Sequence, residues 1–293
     1  MSNKRKALTI VLTVGITSYL IYRVHSEASS VEFSPELLFS QYFLLACITG
    51  LAGYLLYTML WYVYLKKRGI GFKRTLLATL SGTYLGFSLN SAVGFLVKVR
   101  LLGTDYWYTF GVGLLAMTTE YVSGLTLIAI LEKDIAAGIV AVMLASTIIS
   151  ERVAYIIAHS RIHPVKFRER FDKTYRGWKE ARGGSSVLLA FLVGTAMIFT
   201  NAATLVLVGE ALGVYIPYGK ALKGVLYSSF LGGVLGTPGG IGANELGVTI
   251  AIGNGAAQIV TAFLYKTLTT YLYALAGAVA FYRVVAAGRP EDY

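Results

Sequence analysis

Gly232-Gly233-Val234-Leu235-Gly236-Thr237-Pro238-Gly239-Gly240-Ile241-Gly242-Ala243-Asn244-Glu245 decides how this chain is read. Six glycines and one proline fall inside an otherwise apolar region. A lipid-facing helix cannot carry them. Both residue types disfavour helix and free backbone N–H and C=O groups that hydrocarbon cannot satisfy. Such a break is tolerated at membrane depth only where protein or a polar cavity surrounds it. The stretch ends in a carboxylate, Glu245, flanked by long apolar runs.

Composition sets the class. Of 293 residues, 56% are hydrophobic and only 14% charged, against roughly 25% charged in soluble domains. An all-α integral membrane protein with several spans follows. Cys47 is the one cysteine, so neither a disulfide framework nor a cysteine zinc site is expected. His159 and His163 are four apart but lie in a basic stretch with no evident third ligand, and read as solvated loop residues. The net charge of +11 fits cytoplasmic loops facing anionic headgroups rather than nucleic acid.

Going outward from the break, six full spans are predicted: Ala7–Tyr22, Leu37–Leu65, Tyr106–Leu131, Ile135–Ala158, Ser185–Val208 and Ala256–Val285. The first follows Lys4, Arg5 and Lys6 and is read as uncleaved rather than as a signal peptide. Trp61, Tyr62 and Tyr64 read as interfacial aromatics. Two more apolar stretches, Thr75–Gly103 and Ala221–Gly255, are rich in small and polar residues. Both read as re-entrant hairpins, the first turning near Asn90–Gly94. With six spans and two hairpins, every strongly basic segment falls inside: residues 1–6, 66–74, 98–100, 159–184 and 283–289. The acidic segment 27–36 falls outside, and both termini are cytoplasmic at the cell membrane. The 159–184 loop carries eight Lys/Arg against three acids and reads either as an amphipathic helix on headgroups or as a solvated loop.

A shift of 146 residues pairs Gly86 with Gly232, Gly94 with Gly240, Ser91 with Thr237, and Glu120 with Lys266. The two units would have opposite topology, the inverted-repeat plan of many transporters, with a site near the midplane. Glu120, Glu245 and Lys266 lie at bilayer depth, where a charge costs at least ~2.5–3.5 kcal/mol and is not left facing lipid. Either Glu120 and Lys266 pair and clamp the halves, or all three line a headgroup cavity. Lys98 and Arg100, at the mouth of the first hairpin, either hold a lipid phosphate or snorkel. In the break, glycine N–H groups form an anion nest, and Asn244 and Glu245 open the next half-helix, which Glu245 alternatively caps. No Walker loop, HExxH or GxSxG motif occurs, so neither an enzyme nor a cofactor is expected.

Thr237-Pro238-Gly239-Gly240-Ile241-Gly242-Ala243-Asn244-Glu245 resembles the P-x-G-x-G-x-x-E signature of the lysylphosphatidylglycerol synthase transmembrane-region family, the flippase-like membrane proteins. Met117-Thr118-Thr119-Glu120-Tyr121 matches the family's glutamate-bearing span. Leu264-Tyr265-Lys266-Thr267 matches an arginine-bearing segment, with lysine substituted. Of the family's first-hairpin pattern only Arg100 lines up. The resemblance covers nearly the whole chain. It implies two re-entrant elements and movement of aminoacylated phospholipids or lipid-linked sugars between leaflets. A separate synthase or glycosyltransferase would be the partner, and aminoacyl transfer by this chain is not expected.

The expected function is therefore translocation of a polar, anionic or aminoacylated phospholipid. The substrate-binding residues would be Lys98, Arg100, Glu120, Pro238, Gly239, Gly240, Gly242, Asn244, Glu245 and Lys266. The alternative is a non-catalytic membrane subunit supporting a separate lipid glycosyltransferase or synthase; ion-coupled solute transport is a third reading.

Overall fold

The computed structural model describes residues 35–89, 91–103, 105–150, 155–156, 167–234, 240 and 242–287. The expected first span, the three histidines, Asn90, Thr237, Pro238, Gly239 and the C-terminal end of the tail lie outside the described residues.

Every described element is a helix. The order is α1 (Gln41–Leu65), α2 (Phe72–Ser88), α3 (Ser91–Leu102), α4 (Tyr106–Leu131), α5 (Ile135–Ile149), α6 (Arg168–Ala181), α7 (Gly184–Ala211), α8 (Tyr218–Val234), α9 (Ala243–Ile252), α10 (Ala256–Lys266) and α11 (Leu272–Ala287). A single π turn, Thr267–Tyr271, joins the last two.

Caps fix where the long helices begin and stop. The Ser40 hydroxyl accepts from the Phe43 N–H at 3.2 Å and starts α1. The Asp105 carboxylate accepts from the Tyr108 N–H at 3.3 Å and starts α4. Each satisfies a first-turn donor that would otherwise be orphaned. At the other end of α7, the chain turns through Gly213 at φ +71°, and the Val214 N–H returns to the Gly209 carbonyl at 2.8 Å.

Among the described residues, three helical stretches are long and apolar enough to cross a membrane: Gln41–Arg68, Tyr106–Leu131 and Gly184–Ala211. They correspond to three of the expected spans. Their outward faces carry large apolar side chains, among them Leu44, Ile48, Leu51, Leu188 and Leu192, that water would not tolerate as a continuous belt. Of the expected span Ile135–Ala158, residues 151–154, 157 and 158 lie outside the described residues. α5 has 15 residues and closes at Ser150, whose backbone is extended (φ −90°, ψ 107°). The expected last span is one helical rod interrupted by the π turn.

The two stretches read as hairpins fold as antiparallel helix pairs. In α2–α3 the closest approach is backbone on backbone. A Cβ on Gly94 would lie 2.5 Å from the Gly86 Cα, and one on Gly82 would lie 2.8 Å from the Gly94 carbonyl oxygen. In α8–α9 a Cβ on Gly247 would meet the Ser228 N at 2.5 Å. Small residues are what let each pair close.

α1 packs along α7, while α2 packs on α11, so the hairpins are held against the long helices. One apolar core gathers Met197, Ile198, Leu205, Leu222 and Val248; another gathers Leu60, Trp61, Leu102 and Leu115. Trp61 and Tyr64 are only 1% and 2% exposed. They are core residues, two of the three aromatics that the sequence led us to expect at the interface. Tyr64 reaches Thr119 at 2.7 Å across the α1–α4 seam, satisfying its hydroxyl inside the protein. The basic loop supplies α6, which lies against the first turns of α4. There Gly111 faces the α6 backbone at Thr174 and Trp178, and Gly177 faces Tyr108.

Candidate functional site

The two hairpins meet at their tips. The Ser91 hydroxyl, first residue of α3, donates to the Gly232 carbonyl of α8 at 3.2 Å. Beside this contact lies a cavity of about 300 Å³, walled by both hairpins and by α1, α4, α7 and the α10 end of the rod. Lys98, Glu120, Asn244 and Lys266 all line it. Four of the expected substrate-binding residues, from four separate helices, are thus brought to one place.

Each arrives by helical register. Lys98 lies on the buried face of α3, one turn beyond Gly94, whose lack of a side chain lets α3 sink against α2. Its ammonium sits 3.7 Å from the centroid of the Trp61 ring and 4.5 Å from that of Tyr57, and donates to the Tyr57 hydroxyl at 2.6 Å. A desolvated cation held over indole is stabilised by roughly 2 kcal/mol, so this aromatic box offsets part of the cost of burying the charge. Tyr57, Trp61 and Tyr64 recur at four and three residues, the spacing of one helix face. That periodicity is the signal that places them inside; reading them by residue type alone missed it.

Glu120 sits midway along α4, within electrostatic reach of both Lys98 and Lys266. No ion pair closes among these three described side chains; the ammonium of Lys98 goes to Tyr57 instead. Of the two roles open from sequence, a closed Glu120–Lys266 clamp is not the arrangement found. One carboxylate stands between two ammonium groups across a polar space. Hydroxyls of Tyr54, Thr83, Ser229 and Thr270 extend the lining. Such a site can hold an anionic oxygen cluster between two cations, and a cationic group on its carboxylate.

Lys266 is the last residue of α10, and the π turn begins at the next position. A π turn widens the helix locally and reorients the side chains around it. Here it places Thr269 and Thr270 in the cavity and turns Tyr271 toward Glu245.

Glu245 is engaged in structure. It accepts from the Gly242 N–H at 2.8 Å and from the Tyr271 hydroxyl. A carboxylate three residues into a helix also complements the helix dipole. Gly240 (φ +66°) and Gly242 (φ +80°) adopt left-handed backbone that L side chains rarely take, so both are glycine for conformation. Asn244 is buried, its side chain filling the space beside Gly232 and Gly240.

Arg100 is exposed and is not among the residues lining the cavity. Residues two apart on a helix point to opposite sides, so Lys98 and Arg100 do not form a joint phosphate grip. Among the described residues, no three His, Cys, Asp or Glu side chains come together as a metal site. Comparison of the chain with protein-family models, with curated proteins and with solved structures finds no match.

Proposed function

We propose that this protein moves a polar lipid headgroup across a membrane through the cavity between the two hairpins. One observation carries the reading: Lys98, Glu120 and Lys266 line a common polar space without closing an ion pair. Buried charges that served only stability would be paired, because an unpaired one is costly. In this reading the phosphate lies between the two ammonium groups, Glu120 meets a cationic part of the headgroup, and the acyl chains stay in lipid.

The architecture that goes with this function has six spans, two re-entrant hairpins and an inverted repeat in the cell membrane, with cytoplasmic termini. Two features support it. The hairpin arms have 17, 12, 17 and 10 residues, or about 15–26 Å at the α-helical rise, short of the ~30 Å hydrocarbon core. Displacing the bounds of α2 by 146 residues gives those of α8, and the same shift carries the end of α1 onto the end of α7. The resemblance to the flippase-like family points the same way.

The test is a leaflet assay in vesicles of phosphatidylcholine doped with acyl-labelled fluorescent aminoacyl-phosphatidylglycerol, whose headgroup carries both a phosphate and a cation. Wild type should translocate the probe above protein-free vesicles. Glu120→Gln and Lys266→Met should each lower the rate at least ten-fold while keeping the wild-type elution profile. Equal rates in wild type and empty vesicles would sink the proposal.

A further inference from the structure

A second polar space lies at the foot of the first hairpin, apart from the cavity. It is a cleft of about 390 Å³ between the end of α1, the start of α2, the α3–α4 turn and α6. Arg68, Arg74, Lys173 and Arg176 line it against Asp105 and Glu180. The cations have unequal duties. Arg68 is committed: it pairs with Glu180, donates to the Tyr108 hydroxyl at 3.0 Å, and lies 4.0 Å over the Tyr108 ring. Arg74 uses its Nε on the Leu101 carbonyl at 3.3 Å, which leaves its terminal N–H groups. Lys173 bonds Glu169 one turn earlier, at 2.8 Å. Asp105 is occupied in capping α4.

We propose that this cleft is a binding site for a phosphate monoester or diester, gripped by Arg74 and Arg176 and framed by Arg68 and Lys173. Three observations converge on it. Positive side chains outnumber negative ones in the lining, and both acids already have partners. Arginine forks suit phosphate oxygens geometrically. The walls are also built rather than incidental, because α6 is locked to α4 by the backbone contacts at Gly111 and Gly177. The packed α6 therefore holds Lys173 and Arg176 across the cleft from Arg74. The phosphate has two sources: an anionic lipid headgroup in the adjoining leaflet, or a soluble phosphate compound. Leu102 of the cleft and Lys98 of the cavity are one turn apart on α3, about 6 Å along its axis. The site's binding is nonetheless independent of whether the cavity carries lipid.

Binding is measured on the purified full chain in neutral detergent by calorimetry, with three probes: inorganic phosphate, glycerol phosphate and dihexanoyl phosphatidic acid. Arg176→Gln should weaken binding about ten-fold or more, the loss of one charge-assisted contact. Arg74→Gln should do the same. Lys73→Gln removes an equal charge from an exposed neighbour outside the cleft and should leave affinity within two-fold. Binding of all three probes identifies a phosphate site open to soluble ligands. Binding of phosphatidic acid alone, still lost in Arg176→Gln, identifies the lipid source. The proposal is overturned if no probe binds, or if Lys73→Gln weakens binding as much as Arg176→Gln. Translocation measured on the same variants separates this site from the cavity, since a lost cleft with a normal leaflet rate leaves the proposed function standing.

Discussion

Gly94 is where a single methyl group would force α2 and α3 apart. A Cβ there would lie within 2.6 Å of the Gly86 backbone nitrogen, and backbone cannot swing aside as a side-chain end can. Gly94→Ala should cost about 1–3 kcal/mol through forced separation of α2 and α3, read as a lower thermal midpoint in detergent. Gly184→Ala is the comparison, since nothing lies within 4 Å of its Cβ position. It should be neutral or stabilising by up to ~1 kcal/mol, as alanine is the better helix former. Equal losses from both variants would mean that close backbone approach is not what seals the hairpin.

Glu245 shows how a motif residue can be legible while its role is not. From sequence it was open between substrate contact and helix cap. Its bonds to Gly242 and Tyr271 link the start of α9 to the π turn. The donor, Tyr271, stands 26 residues away in sequence, so no local pattern reveals it.

At the scale of elements, the π turn is the least conventional feature of the rod formed by α10 and α11. It lies immediately after the cavity lysine, and Tyr271 at its end holds the second hairpin. Tyr271→Phe keeps the ring packed near Phe87 and Phe263 but removes the donor to the Glu245 carboxylate. The expected cost is about 1.5–3 kcal/mol, the range for hydrogen bonds to charged groups. It should appear as faster proteolysis at the glycine-rich break, with long-helix cleavage unchanged. Unaltered proteolysis at that break would show that the bond does not anchor it. Three of the expected spans and the two helix pairs were readable from apolar run length and small-residue clusters. The π turn was not: Thr267–Tyr271 holds three threonines and a tyrosine, all weak helix formers, but low helix propensity does not distinguish a π turn from an ordinary one.

Across the whole molecule, the described contact that joins the hairpin tips is the Ser91–Gly232 hydrogen bond beside the cavity. If headgroups pass there, the tips must part. A cysteine pair at Ser91 and Gly233 tests this, made in a Cys47→Ala background because Cys47 is free. Gly233 has open space for a side chain. Joining the pair with a short, reducible bifunctional thiol reagent should stop translocation, and reductant should restore it. Each single cysteine with the same reagent should keep its rate. Full translocation by the joined protein would mean that the path does not run between the tips.

By itself the sequence determined that the chain is helical and apolar enough for a membrane. It also marked two small-residue stretches as hairpins, and Glu120, Glu245 and Lys266 as charges needing a polar home. Run length, glycine content and the cost of burying charge are local properties, and they suffice for that much. Only the tertiary structure decided who faces whom. It separated Lys98 from Arg100 by helical rotation, drew Trp61 inward as a cation's partner, and gave Glu245 to Tyr271. It left Glu120 between two lysines without pairing it to either. Those outcomes depend on the rotation and spacing of helices far apart in the chain, which are set by packing the whole protein at once.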